Sequence, residues 1–372
     1  MKEKVLHVCM SRGKGGMELY VGRVINDLKD FGWDVYGICL KNTKVSDYME
    51  KEGIEKKAFS SNASSLACSY KIARWVRGRG IKVIHCHKSS DLRLALLLKV
   101  LVKGLVVFYT DHVGGRSKKK DFYHRLAYGA VSRVFSISDA TYQRNIENLP
   151  LPIEKITCLH HGVDVSRYSP YASSENREIK RASLGCLPNS VLICLPGRVT
   201  PGKGQELWVK AISLLPENIN YFAISVGGTS ISDGGIDGYY EKLVDFVNAK
   251  GLEEKVKFLG HREDLHEILP ASDIVCIPSI NEAFGLTVIE SMASGVAVIG
   301  SSSGSLPELL GSEAGMLVKA EDAVAWADAI KHLIENPSVR KQFGEAARKR
   351  SVGFFSKASH VESLVGYYRG KA

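Results

Sequence analysis

The chain has 372 residues, of which 45% are hydrophobic and 24% are charged, and its formal net charge is +10. This length and composition predict a globular protein of two domains and exclude extensive disorder. Its apolar runs are too short for a transmembrane helix, and the run before Arg12 predicts a buried strand rather than a signal peptide. The eight cysteines are scattered without a CxxC pair, which favours free thiols in a reducing cytoplasm.

Charge is unevenly distributed along the chain. Residues 1–160 contain 28 Lys and Arg against 15 Asp and Glu, a formal charge of +13, whereas residues 161–372 carry −3. We therefore expect the basic half to face an anionic partner. Nucleic acid, a phosphorylated glycolipid and an anionic membrane surface are the candidates.

Short apolar runs alternate with helical stretches along the first half of the chain. The predicted strands are residues 5–10, 34–40, 82–87, 105–112, 133–138 and 155–162, and helices are predicted over 17–31, 64–79 and 91–102. Strands buried on both faces of a parallel sheet are continuously apolar and alternate with helices. The first half therefore predicts a doubly wound parallel sheet.

The alternation stops over residues 165–190, which are polar, contain two prolines and predict a linker. It resumes with strands over 191–197, 219–228, 255–260, 273–279, 296–300 and 315–319, followed by helices over 321–335, 338–351 and 356–369. The predicted fold class is α/β, with two doubly wound Rossmann-like domains facing a central ligand-binding cleft. The predicted domains are residues 1–167 and 168–352, and the helix in 353–372 is expected to pack back on the first domain.

A glycine-rich run, RGKGGMEL (12–19), follows the first strand and opens a helix. Gly15 and Gly16 would let an anion approach the helix N-terminus. Glu18 stands where a dinucleotide fingerprint needs glycine, so an NAD site is not expected. A turn that only admits the chain into the helix is an equal alternative.

Histidines mark two strand ends. His112 ends the fourth predicted strand, where its imidazole could donate to a ligand hydroxyl, although a lone histidine more often lies in a surface loop. In the run HCH, His85 and His87 share one strand face and Cys86 points to the other. A three-ligand metal site is therefore not expected there.

Two further runs leave predicted strands in the second half. GRVTPGKG (197–204) brings Arg198 and Lys203 to a position that suits a diphosphate, although it is not a Walker A loop. NEAFGLTVIE (281–290) places Glu282 before a helix that begins near Phe284, and Glu290 inside that helix, with an anion-binding set of amides between them. A solvated basic turn and an ordinary amphipathic helix are the respective alternatives.

Together and in this order, the motifs resemble the retaining GT-B glycosyltransferases of family 4. The resemblance covers nearly the whole chain and departs from the family pattern at His161, in place of asparagine, and at Ser303, in place of glycine. It rests on GGME (15–18), His112, HHGVD (160–164), Gly197-Arg198, Lys203-Gly204, Glu282, Glu290 and SSSGSLPELL (301–310).

The resemblance implies transfer of a sugar from a nucleotide-sugar donor, with UDP-sugar preferred, to a glycan or glycolipid acceptor. Synthesis of lipopolysaccharide core or another surface polysaccharide is the implied setting. Retention would occur without a metal ion or cofactor, with the departing diphosphate taking the acceptor proton. The protein would then supply positioning and electrostatic stabilisation, and Glu282 and Glu290 would not act as a hydrolase-type carboxylate pair.

The resemblance also assigns residues to roles. Arg198 and Lys203 would hold the diphosphate, Glu290 the ribose, and Glu282 and His112 the donor sugar. The implied catalytic group is His112, Glu282, Arg198 and Lys203. The other implied donor-binding residues are Gly15, Gly16, Arg262, Ala283, Phe284, Gly285, Leu286 and Thr287.

The run GGRSKKKDFYHR (114–125) concentrates positive charge just beyond His112. We expect it to hold an anionic acceptor, or to dock a cytoplasmic protein peripherally on the cytoplasmic face of the inner membrane. A solvated charge run is the alternative. The residues concerned are Arg116, Lys118, Lys119, Lys120 and Arg125.

Two other functions stay open at this point. A nucleotide-sugar epimerase of GT-B fold shares the predicted architecture and would convert the donor sugar without an acceptor. A non-enzymatic nucleic-acid-binding protein would explain the basic half. However, the sequence has no helix-turn-helix, zinc-finger or RNP signature, so nucleic acid is not an expected partner.

Overall fold

A computed structural model describes residues 2–115, 117–230 and 234–370. The chain divides into two compact units, which are described separately below. The first unit contains the residues up to His161 and those from Ala358 onward, and the second unit is Gly162–Lys357. The chain thus passes between the units after His161 and after Lys357, a few residues from the predicted boundaries.

The first unit is built on a parallel sheet. Its described strands are β1 (Lys4–Cys9), β2 (Asp34–Leu40), β3 (Glu55–Phe59), β4 (Val83–Cys86), β5 (Val106–Asp111), β6 (Arg133–Ser136) and β7 (Ile156–Cys158). Their order in the sheet is β3-β2-β1-β4-β5-β6-β7. Because the path of the chain reverses between the neighbours β1 and β4, a crevice is expected at their carboxyl ends.

Helices cover both faces of this first sheet. They are α1 (Gly16–Asp30), α2 (Lys44–Lys51), α3 (Asn62–Ala67), α4 (Ser69–Arg79), α5 (Leu92–Leu101), α6 (Phe122–Gly129), α7 (Asp139–Asn148) and, from Ala358 onward, α16 (Lys357–Tyr368). Successive strand residues enter opposite cores: Leu6 packs in the core beneath α4 and α5, whereas Val5 packs with α1. Val361 and Leu364 of α16 are fully buried in the second of these cores.

The second unit contains a second parallel sheet. Its described strands are β8 (Val191–Pro196), β9 (Tyr221–Val226), β10 (Val256–Phe258), β11 (Ile274–Ile277), β12 (Ala297–Ser301) and β13 (Met316–Val318), in the order β10-β9-β8-β11-β12-β13. The described helices are α8 (Ser174–Ser183), α9 (Gln205–Ile212), α10 (Tyr239–Ala249), α11 (Leu265–Ala271), α12 (Leu286–Ala293), α13 (Leu306–Leu310), α14 (Ala323–Glu335) and α15 (Pro337–Phe354). The path of the chain reverses between β8 and β11.

Three sequence-based expectations need correction. The charged strand β3 has no fully buried residue and no apolar run, so the sequence does not predict it, and His112 follows the fifth strand rather than the fourth. The helix predicted over 64–79 is divided at Cys68 into α3 and α4. The predicted linker contains α8, whose buried Arg181 donates to Asp273 at 2.7 Å and to the carbonyl of Ala271 at 3.0 Å. Its polar side chains therefore pack within the second unit.

Candidate functional site

Three loops leave neighbouring strands at the carboxyl edge of the second sheet. They comprise residues 197–204 after β8, residues 278–285 after β11 and residues 302–305 after β12. The first two flank the point where the path of the chain reverses, which is where doubly wound sheets bind ligands. The runs GRVTPGKG and NEAFGLTVIE, separated by some eighty residues of sequence, are thus adjacent in the structure.

Lys203 and Glu282 join the first two loops. Lys203 Nζ lies 2.6 Å from Glu282 Oε2, and the side chains are 24% and 18% exposed. The N–H of Ile280 also donates to the carbonyl of Gly202 at 3.1 Å. A lysine and a carboxylate that both retain access to solvent are thereby held at the crevice.

Gly204 allows the two loops to come this close. Its φ is +77°, and a Cβ atom there would lie 2.4 Å from the carbonyl oxygen of Pro278. Real Cβ atoms do not approach a carbonyl oxygen so closely, and the left-handed conformation also favours glycine. The glycine of GKG is therefore required by backbone contact, independently of any ligand.

Arg198 has a fixed backbone and an exposed side chain. Its carbonyl accepts a hydrogen bond from Gln205 Nε2 at 2.9 Å, and Gln205 is fully buried. A Cβ at Gly234 would lie 2.9 Å from Arg198 Nη1, so the guanidinium lies across that glycine. The sequence analysis did not identify Gln205, which carries no charge and looks like any residue of a helix start.

The beginning of α12 presents backbone amides between the two glutamates. Gly285 precedes the helix with φ +91°, and the N–H of Val288 makes the first bond of the turn, to the carbonyl of Gly285 at 3.0 Å. The amides of Leu286 and Thr287 therefore have no acceptor within the helix. Glu290 is 3% exposed, one turn inside the helix. The helix begins two residues later than predicted.

A serine turn after β12, residues 302–305, packs against the loop that carries Glu282. Gly304 packs so closely that a Cβ there would lie 2.5 Å from the carbonyl oxygen of Glu282. Ser305 Oγ donates to the carbonyl of Phe284 at 2.6 Å, and its N–H donates to the carbonyl of Glu282 at 3.1 Å. The run SSSGSLPELL thus fixes the backbone of the loop that carries Glu282.

Arg262 is tied to a neighbouring carboxylate. Its Nε and Nη2 donate to Asp264 Oδ1 and Oδ2 at 2.8 and 2.6 Å, while 39% of its side chain stays exposed. The hydrogen bonds from Arg262 hold the pKa of Asp264 below its ordinary value. The role of Arg262 in donor binding stays a prediction.

In the first unit, Glu18 closes the glycine loop. Its Oε2 accepts from the N–H of Gly15 at 2.8 Å, and its Oε1 accepts from Ser11 Oγ at 2.5 Å. The carboxylate is 4% exposed. A side chain of the protein therefore caps the N-terminus of α1 and offsets its partial positive charge. The role of Gly15 and Gly16 in donor binding stays a prediction.

His112 lies directly after β5 and is 8% exposed rather than a surface residue. It belongs to a group of six buried histidines in the first unit, called here the histidine cluster: His7, His85, His87, His112, His161 and His360. Burial lowers the pKa of His112 to about 3 and lowers the pKa of each of the other five. The imidazoles are therefore neutral near pH 7.

Within the cluster, His7, His85 and His87 could offer one nitrogen each to a metal ion, with these atoms within 4.8 Å of one another. Strand periodicity correctly placed His85 and His87 on one face, but His7 arrives from β1. The nitrogens of His85 already contact Tyr368 Oη at 2.5 Å and Thr110 Oγ1 at 2.7 Å. Those of His87 contact His7 and His112 at 2.9 and 3.3 Å. These contacts fit a hydrogen-bonded core, and the absence of a metal ion from the reaction stays a prediction.

The basic segment after His112 divides into two parts. Lys119 folds back, and its Nζ donates to Tyr128 Oη at 3.2 Å. Lys118, Lys120 and Arg125 are exposed, whereas Arg116 lies outside the described residues. The adjacent helix α6 exposes 82% of Phe122, together with half of Leu126. Among the described residues, no helix is both long enough and apolar enough to cross a membrane.

Comparison with protein families identifies both halves of the chain. Residues 14–167 match the model of Glycosyltransferase Family 4, and residues 176–350 match Glycosyl transferases group 1. The two matches together include the glycine loop, His112 and all three loops of the second unit. The chain belongs to glycosyltransferase family 4. This glycosyltransferase has the two-domain, Rossmann-like GT-B fold.

Curated relatives match parts of the chain at moderate sequence identity. The D-inositol 3-phosphate glycosyltransferase of Corynebacterium diphtheriae is 30% identical over 221 residues, which are 57% of this glycosyltransferase and 51% of that protein. The lipopolysaccharide core biosynthesis mannosyltransferase LpcC of Rhizobium leguminosarum is 29% identical over 290 residues, 77% of this chain and 78% of LpcC. The match to the first relative thus spans about half of that protein.

A solved structure matches this glycosyltransferase over its whole length. Anabaena HepE, crystallised in complex with UDP, superimposes with a TM-score of 0.85 at 21% identity, covering 99% of this chain and 100% of HepE. At this identity the likeness establishes the fold alone.

Proposed function

We propose that this glycosyltransferase takes its sugar from a nucleoside diphosphate sugar, with UDP as the nucleotide, and transfers it with retention of configuration. The observation that carries the proposal is the Lys203–Glu282 pair at the chain reversal between β8 and β11, where the loop that carries Lys203 also carries Arg198. That crevice combines two cations with the amide end of α12. A diphosphate is the ligand whose charge and size such a set accommodates.

Each contact has a separate role in the proposed donor complex. Lys203 and Arg198 receive the diphosphate and offset the charge that develops on it as the bond to the sugar breaks. The amides of Leu286 and Thr287 contribute neutral donors to the same oxygens. Glu290 accepts hydrogen bonds from the ribose, and Glu282 contacts the sugar. UDP is favoured because HepE was crystallised with it.

Retention is proposed to proceed by positioning rather than through a covalent glycosyl-enzyme. Glu282 is engaged by Lys203, and Glu290 lies inside a helix with 3% exposure. Neither carboxylate is presented as a nucleophile. The leaving diphosphate then accepts the proton of the acceptor hydroxyl on the face it departs from, and the protein contributes orientation and electrostatic stabilisation without a metal ion.

The proposed acceptor is a glycan or glycolipid in the synthesis of lipopolysaccharide core or another surface polysaccharide. LpcC, a mannosyltransferase of lipopolysaccharide core biosynthesis by name, supports this choice. An anionic membrane is the proposed docking surface, since Phe122 and Leu126 of α6 expose apolar area beside Lys118, Lys120 and Arg125. Each basic residue near such a surface contributes about 1 kcal/mol.

The donor proposal is tested by incubating the protein with UDP-, GDP- and ADP-sugars and following release of the nucleoside diphosphate. UDP-sugars are expected to be consumed only when an acceptor is present, and proton NMR of the product should show the anomeric configuration of the donor. Conversion of the sugar without an acceptor would instead support an epimerase. An inverted product, or a requirement for added metal, would contradict the proposed mechanism.

The membrane proposal is tested by flotation with vesicles of anionic and of neutral phospholipid. Wild-type protein is expected to float with anionic vesicles, and Phe122→Ser/Leu126→Ser to remain behind. Leu187→Ser is a matched control, because Leu187 is 70% exposed in the second unit. Equal flotation of the double variant and the control, or no flotation of the wild type, would overturn docking through α6.

A further inference from the structure

Three histidines of the cluster form a line across neighbouring strands. His7 lies in β1, His87 directly follows β4, and His112 directly follows β5. His7 Nδ1 is 2.9 Å from His87 Nε2, and His87 Nδ1 is 3.3 Å from His112 Nε2. The rings of His7 and His87 are inclined by only 12°. The line therefore runs from the interior of the sheet to the residue expected to contact the donor sugar.

Two other histidines of the cluster have hydrogen-bond partners outside this line. His360 Nδ1 donates to the carbonyl of His160 at 2.6 Å, which makes its Nε2 the acceptor for Tyr20 Oη at 2.9 Å. His85 is engaged by Tyr368 and Thr110. Among the described residues, His112 has no second side-chain hydrogen bond. The protonation of His112 Nε2 is thus set by His87, and that of His87 by His7.

Each neutral imidazole carries one N–H proton, and each contact between two rings needs one donor and one acceptor. The N–H protons of the three rings can therefore be placed in two ways. In the first, protons point inward: His112 Nε2 donates to His87, His87 Nε2 donates to His7, and the proton of His7 is on Nε2. In the second, protons point outward: His7 Nδ1 donates to His87, and His87 Nδ1 donates to His112 Nε2. The proton of His112 is then on Nδ1.

The inner end of the line decides between these arrangements. His7 Nε2 is buried and has no hydrogen-bond partner among the described residues, and His7 is 0% exposed. The inward arrangement would leave an N–H group there without an acceptor, whereas the outward arrangement leaves only a lone pair. Buried N–H groups without a partner are rarer in proteins than unsatisfied acceptors. The outward arrangement is therefore favoured.

We propose that His7 and His87 are positioning residues that hold His112 as the neutral tautomer with its proton on Nδ1. His112 then offers one fixed N–H donor and no basic nitrogen, because its Nε2 accepts from His87. It can hydrogen-bond a sugar oxygen, and it does not remove the proton of the acceptor hydroxyl. This inference rests on the proposed glycosyl transfer and on the donor-sugar contact that the family resemblance implies for His112, and it adds the two residues behind His112.

The tautomer is measured directly on the full-length protein labelled with nitrogen-15 in histidine. Long-range proton–nitrogen NMR distinguishes protonated from unprotonated ring nitrogens, and loss of signals in His112→Gln assigns that ring among the 11 histidines. A protonated Nδ1 and an unprotonated Nε2 on His112 are expected. The opposite pattern would overturn the proposal, as would a stoichiometric transition metal in the purified protein, since a metal would displace the contact between His7 and His87.

Variants of His7 connect the tautomer to turnover. His7→Leu removes the N–H group that donates to His87 and should therefore mix the two tautomers of His112. We expect kcat to fall on the order of tenfold, which corresponds to the loss of one hydrogen bond, with little change in KM for the nucleotide sugar. His7→Asn restores an N–H near the position of Nδ1 and should recover both the spectrum and kcat. An unchanged spectrum in His7→Leu would contradict the proposal that His7 fixes the tautomer of His112.

Two results separate this inference from the proposed function. If the NMR pattern is as expected but His112→Gln keeps full activity, the sugar contact is contradicted, whereas the positioning by His7 and His87 is supported. If His112→Gln is inactive but the proton is on Nε2, the sugar contact is supported, whereas the positioning by His7 and His87 is contradicted. Should His7→Leu not fold, the wild-type spectrum alone still decides the tautomer.

Discussion

Glu282 forms an ion pair with the amine of Lys203, so Glu282→Gln tests whether that amine receives a diphosphate. The substitution removes an ionic partner at 2.6 Å and a negative charge beside the proposed phosphate position. Because the side chains are 24% and 18% exposed, the pair is screened by solvent, and its removal is worth about 1 kcal/mol. UDP, which lacks the sugar, should therefore bind about fivefold more tightly to Glu282→Gln than to the wild type.

The donor itself should behave differently from UDP. Its sugar loses the charged acceptor at position 282, so kcat should fall even though the nucleotide binds well. Isothermal titration with UDP and steady-state kinetics with the donor measure the two effects separately. Glu50→Gln is the matched control, since Glu50 pairs with Lys56 at 3.0 Å in the first unit. UDP affinity that is unchanged or weaker in a fully folded Glu282→Gln protein would refute the assignment of Lys203.

The other predictions concern the ribose contact, the serine turn and acid stability. Glu290→Ala should weaken UDP binding about tenfold in isothermal titration, because the ribose loses its hydrogen bonds to a charged group. Unchanged affinity would contradict the ribose contact of Glu290. Gly304→Ala should lower both the melting temperature and UDP affinity, because its Cβ would lie 2.5 Å from the carbonyl oxygen of Glu282. Acid should unfold the first unit between about pH 6 and 5. Below pH 6.5 the unfolded chain binds protons on the residues of the histidine cluster, whereas the folded chain does not. At one pH unit below that value, each imidazole therefore lowers the free energy of unfolding by about 1.4 kcal/mol. Asp91, whose pKa burial raises to about 7, acts in the opposite direction but is a single group. Hydrogen exchange that stays slow in first-unit peptides at pH 4.5 would contradict this.

The sequence was sufficient to predict the architecture where periodicity is strong. Twelve of the predicted strands correspond to β1, β2 and β4–β13, because strands buried on both faces are continuously apolar. The strand β3 gives no apolar signal, because it lies at a sheet edge and Glu55 and Lys57 are exposed. The polar residues of α8 predict a linker, because the partners of its buried arginine, backbone carbonyls and Asp273, are not revealed by any local pattern.

The candidate site was predicted by residue type but not by contact. The motifs named Lys203 and Glu282, yet their ion pair joins residues 79 positions apart, and only the adjacency of β8 and β11 brings them together. Glu18 belongs to the GGME motif, and only the structure shows that its carboxylate accepts a hydrogen bond from the N–H of Gly15. His7 gave no signal at all, because its partner His87 is 80 residues away in sequence. The residue pattern does not reveal contacts between strands that are distant in sequence.

We propose that the crevice between β8 and β11 binds a nucleoside diphosphate. Isothermal titration of UDP into Arg198→Ala/Lys203→Ala tests it most directly, with Lys331→Ala/Lys341→Ala as a control for loss of two positive charges elsewhere in the second unit. Two charge-assisted contacts of about 1.5 kcal/mol each predict a loss of affinity of about a hundredfold in the first double variant and none in the second. Affinities that agree within twofold across the wild type and both double variants would contradict the claim.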